Sequence, residues 1–352
     1  MLGLWMLLAL VALTSCTEET EPATQWQSLY VVPCNRFFQE TETRSTGLPE
    51  GYSTYVPASP VNIGVYMGTT DGVERGTFEY TGSQWRSDLG ITDGQQYYIY
   101  GYMPKAVTSS ATITPLEGTY TTGAVLTLPG LDPLSTDDVC LVVGVKQGDE
   151  SRADITLVED LKEGNFAFRG RSPSEGNYVY LLLHHLYAQV ALKFCVETRY
   201  SELRTIKLKS VQLKTSEAAS VQAAVTLRAN DSGENPMSVA WTLTPPAIPG
   251  EERSEILFTD AEGRELTTSY QSITSSMFAP GVGGGLTLVC TYDVYDKQGN
   301  LVRQNCESEN SLPAMQYRQS GDRTTLKLTI APTYLYVMSD PDLDNPTLKV
   351  EN

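Results

Sequence analysis

The stretch Thr325-Leu326-Lys327-Leu328-Thr329-Ile330 alternates polar and apolar side chains without a break. On a β-strand, successive side chains point to opposite faces. Leu326, Leu328 and Ile330 therefore share one face, and Thr325, Lys327 and Thr329 the other. The pattern returns at Val190, Leu192, Phe194 and Val196, with Lys193 opposite. Ile206 and Leu208 alternate with Lys207 and Lys209; the phase then slips at Ser210 before Val211 and Leu213, as a bulge would cause. Further strands are expected over residues 62–67, 77–80, 97–102, 139–145, 221–227, 257–260 and 286–295. Turns are expected at Asp71-Gly72, Thr81-Gly82, Asp93-Gly94, Gln147-Gly148-Asp149, Asp231-Ser232-Gly233 and Gln298-Gly299-Asn300. Helical periodicity is confined to short turns near residues 134–138 and 200–203. Many short strands with regular turns predict an all-β chain built of sandwiches.

The 352 residues carry 42 acidic and 25 basic side chains, a formal net charge of −17. A phosphate-binding surface needs clustered Lys and Arg, and this chain has no such cluster, which argues against a nucleic-acid partner. Hydrophobic content of 41% with 19% charged residues is that of a globular chain. The length suggests about two domains. A boundary is expected near residues 198–202, after the apolar run 181–196, and each half is large enough for its own core.

Residues 2–13 form an almost continuous apolar run. A transmembrane helix needs about 20 apolar residues, so the run fits the core of a signal peptide over residues 1–15. No Lys or Arg precedes it. Leu13-Thr14-Ser15-Cys16 resembles the bacterial lipobox, in which the cysteine is acylated, palmitate included, and becomes the first residue of the mature lipoprotein. Cys16 is thus the expected lipidation site. Acyl chains anchor without spanning, each buried CH₂ contributing about 0.8 kcal/mol. Residues 20–27 are polar and read as a tether.

Beyond Cys16 stand Cys34, Cys140, Cys195, Cys290 and Cys306, an odd number. A three-residue turn centred on Gln298 would set Cys290 and Cys306 opposite each other, within bridging distance; two half-buried free thiols are the other outcome. With no C-x₂₋₄-C and no spaced histidine pair, no metal or cofactor is expected. His184 and His185 face opposite sides of one strand and read as structural histidines bonded to backbone. Gly281-Val282-Gly283-Gly284-Gly285 lacks the Lys-Ser/Thr of a phosphate loop and reads as a flexible hairpin connection. No G-x-S-x-G is present, and no enzyme is expected. The spacing of Asp340-Pro341-Asp342-Leu343-Asp344-Asn345-Pro346 is that of a calcium loop, with Glu351 at its twelfth position. Yet Asn345 stands where such a loop wants Gly, Pro346 follows and no helices flank it, so a solvated turn is expected.

Several stretches together resemble the fimbrillin family, the lipoprotein subunits of type V pili in Bacteroidetes. These are the lipobox at Cys16, followed by Thr17-Glu18-Glu19, which looks like a surface-export signal; Thr43-Arg44-Ser45; Phe78-Glu79-Tyr80-Thr81-Gly82-Ser83-Gln84-Trp85; Tyr98-Ile99-Tyr100-Gly101-Tyr102-Met103-Pro104; the apolar strand around His184-His185; and the run from Pro332 to Pro346. The specificity lies in their order.

The resemblance implies two tandem transthyretin-like β-sandwich domains, over residues 45–198 and 199–352, after a tether and removable segment at 16–44. It implies a fimbrial subunit at the outer-membrane surface that loses its N-terminal segment to an arginine-specific protease, polymerises with other subunits by donor-strand exchange and serves in adhesion to a surface receptor. Arg44 is the best-placed cleavage residue, with Arg36 the alternative. The tail holding Leu335, Val337, Leu343, Leu348 and Val350 is the candidate donor strand; alternatively it completes its own second domain, as in a tip or accessory subunit. A different class of reading is a non-catalytic surface glycan-binding lipoprotein, with Tyr66, Trp85, Tyr97, Tyr98, Tyr100 and Tyr102 as stacking platforms.

Overall fold

The computed structural model describes residues 29–35, 39–40, 53–54, 61–80, 82, 85–148, 162–229, 236–334 and 341–351. The chain is nearly all β. It opens with β1 (Leu29–Asn35), β2 (Gln39–Glu40), β3 (Ser53–Thr54), β4 (Asn62–Gly68), β5 (Val73–Tyr80), β6 (Trp85–Ser87) and β7 (Gln96–Met103). Next come β8 (Thr112–Leu116), β9 (Thr119–Leu131), β10 (Leu134–Ser135), β11 (Cys140–Gly148), β12 (Ala167–Arg169), β13 (Asn177–His185) and β14 (Ala188–Val196). The short helix α1 (Thr198–Leu203) is capped by the Glu197 carboxylate, which accepts from the Tyr200 N–H at 2.7 Å. After it come β15 (Thr205–Thr215), β16 (Ser220–Arg228), β17 (Met237–Thr244), β18 (Arg253–Glu265) and β19 (Gln271–Phe278). The last four are β20 (Leu286–Tyr295), β21 (Leu301–Ser311), β22 (Asp322–Tyr334) and β23 (Pro341–Glu351). Among the described residues no helix is long and apolar enough to cross a membrane.

Burial follows the period-two pattern. β16 buries Val221, Ala223, Val225 and Leu227 and leaves their neighbours half exposed. In β15 the register shifts between Leu208 and Ser210 against both flanking strands, so the bulge read from the phase slip is present and keeps Ile206, Leu208, Val211 and Leu213 on the core side. The segment 134–138 departs from its expected helical turn. Leu134 is buried, and β10 pairs antiparallel with the end of β19. The Gly281–Gly285 stretch is no flexible hairpin either: Pro280–Gly285 forms a 3₁₀ turn. A Cβ on Gly283 would lie 2.3 Å from the Met315 carbonyl oxygen, so close backbone approach fixes that glycine.

Four sheets result. In the first, β11, β13, β1, β6, β5, β4 and β7 lie side by side, and β7 returns to β11 through Cys140↔Met103 and Leu141↔Tyr102, closing the ring. It encloses a core that includes Val31, Ile63, Val65, Phe78, Ile99, Val142, Val179 and Leu181. The second sheet runs β10-β19-β14-β22-β2, with β23 also on β22. The third is β18-β15-β20-β21 and the fourth β17-β16-β9-β8. These three share a second core with the outer face of the first, where Tyr100, Tyr102, Leu141 and Leu182 point. The second and fourth sheets draw strands from both sides of the expected 198/199 boundary. The consecutive strands β13 and β14 do not pair with each other: β13 lies in the first sheet and β14 pairs with β19 and β22 in the second, so the turn between them links the two cores.

Phe194 on β14 is fully buried between these partners. Phe194→Ala is expected to lower stability in urea unfolding by about 3–5 kcal/mol. A loss below about 1 kcal/mol would place that ring outside a packed core.

Candidate functional site

The first described strand, β1, pairs with a strand far away in the sequence. β1 lies parallel to β13 in an unbroken register from Leu29↔Asn177 to Asn35↔Leu183. Its other edge meets β6 at Val31↔Trp85 and β3 at Cys34↔Thr54 and Asn35↔Ser53. Leu29 and Val31 are buried, pointing into the first core at alternate positions, and Pro33 is buried too. A parallel neighbour cannot be joined by a tight turn, so β1 is laid into this seat from elsewhere in the chain. The seat is built for it. Val179, Leu181 and Leu183 of β13 face the first core, and Tyr180 and Leu182 the second. The Asn177 side chain fixes the start of β13, accepting from Arg171 N at 2.8 Å and donating to Arg171 O at 3.0 Å.

A few residues later the same segment reaches the second sheet. β2 pairs parallel with β22 at Gln39↔Asp322 and Glu40↔Arg323. One edge of β22 is taken by β14 from Arg323 to Ile330, so β2 lies on the other edge. The tail strand β23 occupies that same edge further along, from Lys327↔Glu351 to Tyr334↔Pro341. The N-terminal segment and the C-terminal tail are thus sequential occupants of one sheet edge.

Polar anchors hold the tail there. Tyr200 donates to the Leu343 carbonyl at 2.8 Å and Tyr292 to the Pro346 carbonyl at 3.1 Å. Arg204 reaches Asp344 Oδ1 with Nη2 at 2.8 Å and Nε at 3.3 Å. Arg303 Nη1 donates to Asn345 Oδ1 at 2.5 Å, and Thr333 Oγ1 donates to the Asn345 carbonyl. Asp342 Oδ1 accepts from Asp344 N at 3.1 Å. The expected solvated turn is not formed by the described part of this string: Asp342, Asp344 and Asn345 lie within β23 where its register shifts, with Asp342 accepting from the backbone and Asp344 paired with Arg204. Burial raises the phenol pKa of both tyrosines, that of Tyr292 to about 12.

Of the expected site residues, Leu348 is buried in the second core, and Leu343 and Val350 pack against it, all three on β23 within this chain's own sheet. Cys16, Arg36, Arg44, Leu335 and Val337 lie outside the described residues. Cys290 and Cys306 are free thiols and do not face each other: Cys290 pairs with Ser308 and Cys306 with Tyr292. Near the turn the register is the expected one, Tyr295↔Leu301, but irregularities on both sides of Val294 slip it by two positions before the cysteines are reached. Of the six aromatic candidates, Tyr66, Trp85, Tyr97, Tyr100 and Tyr102 are buried and Tyr98 is half-buried, so none of the first five offers an open face for stacking. A cleft of about 980 Å³ opens beside β4 and β5. Its cations are already engaged: Arg75 donates to the Ala111 carbonyl over the Tyr66 ring, and Lys105 donates to Thr77 Oγ1. His184 Nδ1 bonds the His185 carbonyl at 2.9 Å, the backbone role expected of a structural histidine.

Sequence reasoning missed β1 and the tyrosine anchors. Leu29-Tyr30-Val31-Val32 is an aromatic and β-branched run that signals a strand. Nothing local signals that it pairs with residues some 150 positions away.

No family model matches the chain, and no curated protein matches it. Among solved structures it is similar to a fimbrial protein from Bacteroides vulgatus, with 12% identity and a TM-score of 0.44 over 92% of this chain and 98% of that one. A candidate cell-adhesion protein from Bacteroides fragilis gives 8% identity and a TM-score of 0.43 over 93% and 97%. The fimbrial anchor protein Mfa2 from Porphyromonas gingivalis gives 11% and 0.28 over 92% and 97%.

The anchors make two predictions. Tyr200→Phe leaves the Leu343 carbonyl without its partner and is expected to destabilise the tail by about 1 kcal/mol, read as faster hydrogen exchange in β23. The second concerns alkali. The neutral Tyr292 phenol is favoured by folding, so its contribution is complete below its ordinary value of 10.0 and is lost as pH rises toward about 12. Protection of β23 amides is expected to hold up to about pH 10 and to fall above it, less steeply in Tyr292→Phe.

Proposed function

We propose that this chain is a surface-exposed fimbrial subunit serving in adhesion, and that β1 occupies an acceptor groove which a neighbouring subunit's strand fills after proteolysis. The observation that carries this reading is the parallel seat of β1 on β13. The strand lies wholly before Arg44, so cleavage there detaches β1 and β2 together. Loss of β1 strips one edge of β13 of its partner along seven residues and opens the pockets of Leu29 and Val31. Unpaired buried N–H and C=O groups are costly, and each vacated apolar pocket forgoes about 1.5–3 kcal/mol of burial. An incoming strand with apolar side chains at every second position repairs both losses.

The lipobox at Cys16 supports membrane anchoring before cleavage, and the ordered set of family-like stretches supports the fimbrial reading. The tail supports the variant of it in which this chain accepts a strand without giving one. With β23 paired along β22 and held by Tyr200, Tyr292, Arg204 and Arg303, the chain closes its own second core, as a tip or accessory subunit would.

The test is to cleave the folded mature protein with an arginine-specific protease, sequence the new N-terminus and separate the released segment. A terminus at Ser45 is expected. The cleaved chain should then capture a fluorescent peptide spanning residues 29–44, whereas the uncut chain should not. Self-assembly of the cleaved chain would assign the tail a donor role, and peptide capture by a persistent monomer would assign the acceptor-only role. A cleaved chain that stays folded and binds no strand overturns the proposal.

A further inference from the structure

Where β11, β13 and β7 meet, three side chains of different chemistry converge. Cys140 and His185 are direct cross-strand partners at the ends of β11 and β13, and Asp138 lies two residues before Cys140. Their ligand atoms all lie within 4.8 Å of one another. His185 Nδ1 stands 2.8 Å from Asp138 Oδ1 and 3.6 Å from Cys140 Sγ. Cys140 is fully buried and His185 is 4% exposed, while the Asp138 side chain, 28% exposed, is the member within reach of solvent.

The geometry points to a metal site formed by Asp138, Cys140 and His185, fitted to a divalent transition ion of the zinc class. A thiolate, an imidazole nitrogen and a carboxylate oxygen are the donor set that Zn²⁺ takes, with bonds of about 2.3, 2.0 and 2.0–2.2 Å. At a tetrahedral angle those bond lengths place sulfur and nitrogen about 3.6 Å apart, which is the separation found. The nitrogen–oxygen distance is that of a hydrogen bond. It must open by roughly half an ångström to the tetrahedral value, and the partly exposed Asp138 is the side that can give.

The charges balance as well. A thiolate and a carboxylate neutralise a doubly charged cation, leaving a neutral cluster at a buried position. Without a cation, burial and the neighbouring Asp138 hold the Cys140 thiol protonated, well above its ordinary range. Binding therefore displaces the thiol proton to solvent, and the imidazole presents Nδ1 as a lone pair. The sequence offered no metal-ligand spacing because His185 lies 45 residues from Cys140. Such a site would staple the end of β13, the strand that seats β1, yet it stands independently of the fimbrial reading.

The test uses the full mature chain, reduced and stripped with a chelator, then titrated with Co²⁺ and Zn²⁺. One equivalent of Co²⁺ is expected to bind with a thiolate-to-cobalt charge-transfer band, displaced by Zn²⁺. The band should vanish in Cys140→Ser and persist in Cys195→Ser and Cys306→Ser. Asp138→Asn alters the partly exposed ligand and leaves the core packing intact, which keeps the test independent of folding. It should lower Zn²⁺ affinity at least about tenfold. Absence of the band in the unaltered chain, its survival in Cys140→Ser, or unchanged affinity in Asp138→Asn overturns the site.

Discussion

Each buried strand must find partners for its backbone on both edges, and in this molecule that demand converges on two consecutive strands, β13 and β14, which lie in different sheets. Both faces of β13 are buried, as are most residues of β14, so neither strand can leave an edge to water. Each takes one antiparallel neighbour and one parallel neighbour. β13 has β11 and β1, and β14 has β19 and β22. The parallel partners come from opposite ends of the chain. Segments far apart in the sequence therefore complete the pairing of these two consecutive strands.

Closure by remote parallel strands sets this topology apart from a meander. A meander would close its sheets with neighbours along the sequence and would tolerate no exchange. A sheet finished by a remote, parallel segment has a seat that can in principle be emptied without unravelling the local hairpins. β1 is such a segment. It is seven residues long, and most of its pairing is to a single strand. β23 differs. It is an antiparallel neighbour reached through a short connection from β22, and side chains on α1, β20 and β21 bond its first half. The physical contrast between a laid-in strand and a latched one underlies the different roles assigned to the two ends.

The aromatic content fits the same picture. The alternating tyrosines of β7 serve the structure twice. Tyr100 and Tyr102 fill the second core with their rings while their hydroxyls bond the Tyr120 and Thr108 carbonyls at 2.7 and 3.2 Å. Tyr97 faces the first core, where its hydroxyl accepts from Thr92 N at 2.8 Å. A Phe-rich strand could fill the cores but could not close the loops that cross their edges. On β7 the hydroxyl thus gives Tyr a use that Phe would lack.

The sequence by itself determined what depends on near neighbours. Period-two alternation identified β4, β7, β14, β15, β16, β20 and β22, and the slipped phase at Ser210 located a bulge. Tertiary structure decided what depends on distant ones. Which strand lies beside β13, which edge of β22 holds the tail, and that Asp138 and Cys140 meet His185 all follow from pairing between segments far apart, and alternation carries no address for a partner. The cysteines show the limit most sharply. The turn at Gln298 was legible, but irregularities beside Val294 shifted Cys290 and Cys306 out of register, because a bulge depends on how the whole sheet twists over its core.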